Sequence, residues 1–157
     1  MVLLQVVDAE DVLSVVQALV EQGIAHPSQV VIQGGSAGGF TVLNALVTGS
    51  VFAAGASYYG VADMLSLASD THDFESRYLD SLLGPLPQSR DTYIARSPLT
   101  HVSKMSAALI LFQGSEDKVP PLRSCSACFH SVFRLCHRPR AKSSAMLAKP
   151  KASSAST

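Results

Sequence analysis

The sequence predicts an α/β protein, a parallel sheet with flanking helices, and three observations carry that prediction. Apolar runs at residues 30–32, 52–60 and 107–114 are short and continuous rather than alternating, as strands covered on both faces are. Segments of helical spacing separate these runs, the order expected of a parallel sheet. The first run leads into Gly34-x-Ser36-x-Gly38, which reads as a strand, a sharp turn and a helix.

Taken in order, Asp8-Ala9-Glu10-Asp11 precedes Val12, Val15, Val16, Leu19 and Val20. That is an amphipathic helix with Asp8 as N-cap and Gly23 as the residue just past its end. His26-Pro27-Ser28 is a connecting loop, with His26 a surface residue. The strand at 30–32 follows. A serine at the tip of so tight a turn takes a strained backbone, and the residues two before and two after it must be small. The turn lifts the Ser36 hydroxyl above the sheet edge, beside a helix N-terminus. There the Ala37 N–H can stabilise an oxyanion. Phe40, Val42, Leu43, Leu46 and Val47 make the next helix apolar nearly all round, as a buried helix is.

The run at 52–60 is the second strand, its small residues allowing close packing. Residues 61–97 read as short helices and loops, with helical spacing over 63–68 and 74–83. Gly84-Pro85-Leu86-Pro87 breaks the chain, and a further short helix spans 89–95. Asp70, Asp73, Glu75, Arg77 and Asp80 form either a solvated face or part of a cleft. The third strand ends in Gly114-Ser115-Glu116-Asp117. Ser36 and Asp117 both fall just past strand ends, where sheets of this class bind ligands. Asp117 is thus a candidate for the acid that orients a catalytic histidine, or simply a turn or cap residue.

The 157 residues fit one domain, with 12 Lys and Arg balancing 12 Asp and Glu. The balance hides an asymmetry. All the acids lie in residues 1–117, with only Arg77, Arg90, Arg96 and Lys104 among the bases; every other Lys and Arg lies in 118–157. The opening residues meet Asp8 too soon for a secretory signal, and no apolar stretch is long enough to span a membrane. A cytoplasmic protein without membrane or nucleic-acid partners is expected. Cys125, Cys128 and Cys136 also fall in the basic part. With His130 and His137 they approach zinc-ligand spacing, but they crowd into 13 residues (125–137) without the usual long span between pairs. No metal and no cofactor are expected.

Several motifs together resemble the catalytic domain of the prolyl oligopeptidase family, in particular its dipeptidyl-aminopeptidase and acylaminoacyl-peptidase members. They are Gly34-Gly-Ser-Ala-Gly-Gly-Phe-Thr41, Phe52-Ala-Ala-Gly-Ala-Ser-Tyr-Tyr-Gly-Val61, Asp70-Thr-His-Asp-Phe-Glu-Ser-Arg-Tyr-Leu-Asp80 and Phe112-Gln-Gly-Ser-Glu-Asp-Lys-Val-Pro-Pro121. The likeness covers about residues 5–121. It implies an α/β-hydrolase fold, here incomplete, and serine peptidase chemistry on short peptides through an acyl-enzyme. Ser36 matches the nucleophile, Ala37 supplies one oxyanion-hole N–H, and Asp117 matches the triad acid.

Three departures accompany the resemblance. The family's β-propeller does not precede the matching part, and neither do the hydrolase domain's first strands with the loop that completes the oxyanion hole. The triad histidine should lie about 30 residues after the aspartate, past another helix and strand, where this chain has Ala148-Lys149-Pro150-Lys151. His72 and His101 precede Asp117, while His130 and His137 follow it too closely. From Leu122 the resemblance stops, and 122–157 is a Ser-, Ala- and Lys/Arg-rich tail, expected to be disordered from about residue 140. Such an abrupt change is what a shifted reading frame or an alternative exon produces. The resulting expectations are a partial peptidase domain over 1–121 and a divergent tail over 122–157. The chain would be weakly active or inactive, prone to self-association through exposed sheet edges. The alternatives are a non-catalytic, partner-binding fragment and an esterase on the same fold.

Overall fold

The computed structural model describes residues 6–70 and 76–114, together with the backbone of 145–148. Helix α1, Val6–Glu21, already includes Asp8, so that residue sits in the first turn rather than capping it. Its carboxylate still complements the positive end of the helix. Gly23, at φ 70, ends the helix as expected. The Ile24 N–H bonds to Leu19 O at 2.9 Å and the Gly23 N–H to Val20 O at 3.0 Å, the paired closure that a left-handed glycine permits. His26 is exposed, and its Nδ1 lies 2.9 Å from the Ser28 hydroxyl, so it is a loop residue.

Strand β1, Val31–Gly35, runs through both glycines before the turn. Helix α2, Ala37–Thr48, starts directly after Ser36 and buries Phe40, Val42, Leu43, Ala45, Leu46 and Val47. Strand β2 is Ala54–Tyr58. Short helices α3, Met64–Asp70, α4, Ser76–Leu83, and α5, Arg90–Ala95, follow. The break at 84–87 falls between α4 and α5, with Gly84 at φ 92 and a cis Leu86–Pro87 peptide. A 3-10 helix, α6, covers Pro98–Lys104; the sequence reading had no element there. Strand β3 is Ala108–Phe112. Strand β4, Ala145–Ala148, lies in the basic part that was expected to lack structure beyond residue 140. Ala-Met-Leu-Ala is a short apolar stretch within that polar tail, and the side of β3 away from β2 offers it unpaired backbone groups.

All pairings are parallel and the strand order is β1-β2-β3-β4. Each step in the order moves one place in the same direction, and a right-handed β1–β2 crossover puts α2 on one face of the sheet. Gly55, Ser57, Leu109 and Leu111 are buried, while Ala54, Ala56, Ala108 and Ile110 between them are only half-buried. Gly55 is needed there, since a Cβ would stand 2.6 Å from the Leu46 Cδ1. The main core joins Val42, Leu43, Leu46, Phe52, Val102, Leu109 and Leu111. A second cluster of Phe40, Met64, Leu79, Leu83 and Tyr93 seats α3 to α5 against the start of α2. Asp80 is exposed, in keeping with a solvated face; Asp73 and Glu75 and the side chains of Asp70 and Arg77 lie outside the described residues.

Candidate active site

The turn between β1 and α2 holds Ser36 at φ 54 and ψ −120, a region that non-glycine residues rarely occupy and that costs on the order of 1–3 kcal/mol. A serine before a helix is ordinarily an N-cap, with extended backbone and a hydroxyl bonded to the second or third N–H. Here the backbone is not extended and the side chain makes no cap bond. The hydroxyl therefore does not serve the helix, and the residue is exposed. The turn is held by its backbone: Ser36 N–H donates to Tyr58 O at 3.0 Å, and Ser36 O accepts from Phe40 N–H at 3.1 Å. That second bond opens the helical ladder. The Ala37 N–H precedes it, among the donors that a helix N-terminus presents outward.

Close approach explains most of the glycines. A Cβ on Gly34 would lie 2.5 Å from the Gly38 carbonyl oxygen, so strand and helix can meet only if position 34 is bare. At Gly38 itself a Cβ would meet nothing within 4 Å. The expectation that both flanking positions must be small thus holds at 34 and not at 38, where the side-chain direction points into open space. The position after it is the constrained one. A Cβ on Gly39 would stand 2.7 Å from the Gly60 Cα and 2.8 Å from the Ser57 Oγ. Ser57, buried in β2, donates from Oγ to Gly39 O at 3.2 Å, tying the first turn of α2 to the sheet.

Tyr59 joins this site, and the sequence reading did not single it out. It has φ 40, is 47 % exposed, and donates its N–H to Phe112 O at 2.7 Å. Its hydroxyl stands beside Gly35, 2.8 Å from where a Cβ would be. The available signal was its place one residue past the end of β2, where a parallel sheet presents its ligand-binding loops. Below it Tyr58 and Phe112 stack at 4.6 Å between ring centroids. Ser36 and Tyr59 are therefore neighbours at the carboxyl ends of β1 and β2. Asp117, three residues past the described end of the β3 segment at Gly114, lies outside the described residues, as do His72, His130 and His137. His101 is described. Its Nε2 lies 2.9 Å from Ala95 O, and it lines a cavity with Thr48 at the C-terminal end of α2. Twelve helical residues, about 18 Å, separate that end from Ser36, so His101 is not the base for this serine.

An exposed serine on a strained strand-to-helix turn, at the carboxyl edge of a parallel sheet, defines an α/β-hydrolase. The sequence profile of the prolyl oligopeptidase family matches residues 3–152, and the chain belongs to that family. The match runs past residue 121, where the quoted motifs end. The chain is 30 % identical over 114 residues to dipeptidyl aminopeptidase BIII of Pseudoxanthomonas mexicana, covering 69 % of this chain and 16 % of that protein. It is 28 % identical over 126 residues to the acylamino-acid-releasing enzyme of Arabidopsis thaliana, covering 73 % and 16 %. Among solved structures, a puromycin-hydrolysing peptidase of Mycobacterium tuberculosis superposes with a TM-score of 0.83 at 39 % identity, over 93 % of this chain and 22 % of that one. An acylaminoacyl peptidase of Pyrococcus horikoshii, 24 % identical, shares the fold with a TM-score of 0.80 over 95 % and 24 %. The chain thus spans about a sixth of the length of these curated relatives.

Proposed function

We propose that the chain carries the nucleophile end of a serine peptidase site acting on short peptides. The observation that supports this reading most is the Ser36 backbone, strained and with its hydroxyl unused by the helix. Ser36 Oγ attacks the substrate carbonyl carbon, and the Ala37 N–H stabilises the oxyanion that forms. Collapse expels the amine and leaves an acyl-enzyme, which water then cleaves. Asp117 is the acid of the site. The proton leaving Ser36 Oγ needs a base, and β4 is followed in sequence by Lys149-Pro150-Lys151 rather than a histidine. Loss of the base in such sites lowers turnover by about 10^6-fold, so the chain by itself is weakly active or inactive.

The test is labelling with a fluorophosphonate. A slow adduct that disappears in Ser36→Ala is expected; absence of any Ser36-dependent adduct would sink the nucleophile assignment. Comparing an aminoacyl-p-nitroanilide with a p-nitrophenyl ester on the same preparation separates peptidase from esterase. The missing histidine after β4 favours a second reading, a non-catalytic fragment whose role is to bind a partner. An adduct that forms without any turnover of either substrate is the result that reading expects.

A further inference from the structure

A cavity of about 390 Å³ opens at the end of α2 remote from Ser36. Its volume falls within the range of small-molecule sites, about 300–1,000 Å³. Four elements build it: Glu10 comes from α1, Asn44 and Thr48 from α2, Arg96 from the end of α5, and His101 and Lys104 from α6. The charges are of both signs, with Arg96 and Lys104 against Glu10. The last carbonyls of α2 add a partial negative charge.

Asn44 is the informative residue. It is 7 % exposed and interrupts an otherwise apolar buried run, Val42 to Val47. Asparagine is a poor helix former, and a buried amide costs free energy unless its groups are bonded. Its Nδ2 donates to Phe40 O at 3.0 Å, which uses one amide proton. The carbonyl oxygen and the other proton remain for the cavity that Asn44 lines. His101 is held by its Nε2 contact with Ala95 O, which leaves Nδ1 as the ring atom for a ligand.

We propose that this cavity binds a small zwitterion of the amino-acid or dipeptide class. Lys104 takes the carboxylate; Glu10 and the carbonyl end of α2 take the ammonium; Asn44 bonds the body of the ligand. The site stands apart from the peptidase reading, since nothing in it uses Ser36.

The experiment is a ¹⁵N-resolved NMR titration of the full chain, and of its Ser36→Ala variant, with Ala-Ala. Saturable shifts at residues 9–10, 44–48 and 95–104 are expected in both, with a Kd of about 1 mM. N-acetylated and C-amidated Ala-Ala should each bind roughly tenfold more weakly, the effect of losing one charged contact. Glu10→Gln and Lys104→Met, both at exposed positions, should weaken Ala-Ala to a similar degree while leaving the spectrum folded. The proposal is overturned if Ala-Ala gives no saturable shift or the blocked peptides bind equally well. It is also overturned if the two variants leave binding unchanged, or if inorganic phosphate alone saturates the same residues.

Discussion

At the scale of the residue, two side chains sit on backbone that non-glycine residues rarely adopt. Ser36 and Tyr59 are the described non-glycine residues with positive φ, and they are neighbours across the β1–β2 edge. Replacing Ser36 by glycine removes the steric cost of φ 54 while removing the hydroxyl. Ser36→Gly is therefore expected to gain about 1 kcal/mol in urea unfolding and to lose every fluorophosphonate adduct. Equal or lower stability of the variant would show that the turn is not strained. Tyr93 gives a different prediction. It is fully buried, its hydroxyl donates to Gly84 O at 3.1 Å, and burial, with Asp80 nearby, raises its pKa above the ordinary 10.0. The folded state thus holds the phenolic proton to higher pH than the unfolded state does. Stability should be level with respect to this group below about pH 10 and fall as pH climbs beyond it, as the unfolded chain ionises first. In Tyr93→Phe that alkaline fall should shrink, at a cost of about 1 kcal/mol at neutral pH for the lost hydrogen bond. Thermal unfolding from pH 7 to 11 measures both.

At the scale of the element, the turn works because β1, α2 and β2 approach without side chains between them. Gly34 faces the backbone of Gly38, and Gly39 faces Gly60. The Ser57 hydroxyl and the Ser36 N–H then fasten α2 and the turn to β2. Gly34→Ala sets a Cβ 2.5 Å from a main-chain oxygen and should destabilise by roughly 1–3 kcal/mol, with loss of labelling. Gly38→Ala meets open space and replaces a helical glycine, so it should be neutral or stabilising by up to about 1 kcal/mol. If both variants unfold alike, the two glycines are equivalent and the close approach at Gly34 is not the cause. The other end of α2 carries no base in its own last turn. Thr48 at that end lines the same cavity as Arg96, His101 and Lys104.

At the scale of the whole molecule, the described helix α2 packs on one face of the sheet and the opposite face is less covered among the described residues. Among the described residues Val31 is 67 % exposed on that side, and Ala54, Ala56, Ala108 and Ile110 are half-buried. Among the described residues no strand pairs with the outer edge of β1, which ends the strand order. Apolar faces and open edges of this kind associate. The isolated chain should elute from size exclusion at an apparent mass that rises with concentration, and Val31→Lys should shift it toward 16.6 kDa. A monomeric elution at every concentration would show that the face is covered. No described helix is long and apolar enough to cross a membrane.

The sequence by itself determined what depends on neighbouring residues along the chain. The apolar runs at 30–32, 52–60 and 107–114 each overlap a strand, because β-branched and small apolar residues in unbroken succession suit a strand. That every second position would be only half-buried or exposed, as Val31, Ala54 and Ile110 are, did not show in the sequence. Gly34-x-Ser36-x-Gly38 marked the turn, because a backbone so tight admits few residue types. The tertiary structure decided what depends on approach across the fold. Gly38 looks as constrained as Gly34 in sequence, but only packing shows which Cβ direction is blocked. Tyr59 resembles any tyrosine at a strand end until the sheet places it beside Gly35. Pro98–Lys104 lacks a clear helical period because its form is set by packing on α2. His101 is one histidine among five until α6 carries it to the far end of that helix. Asn44 reads as a flaw in an apolar helix, and only the meeting of α1, α2, α5 and α6 makes it the wall of a cavity.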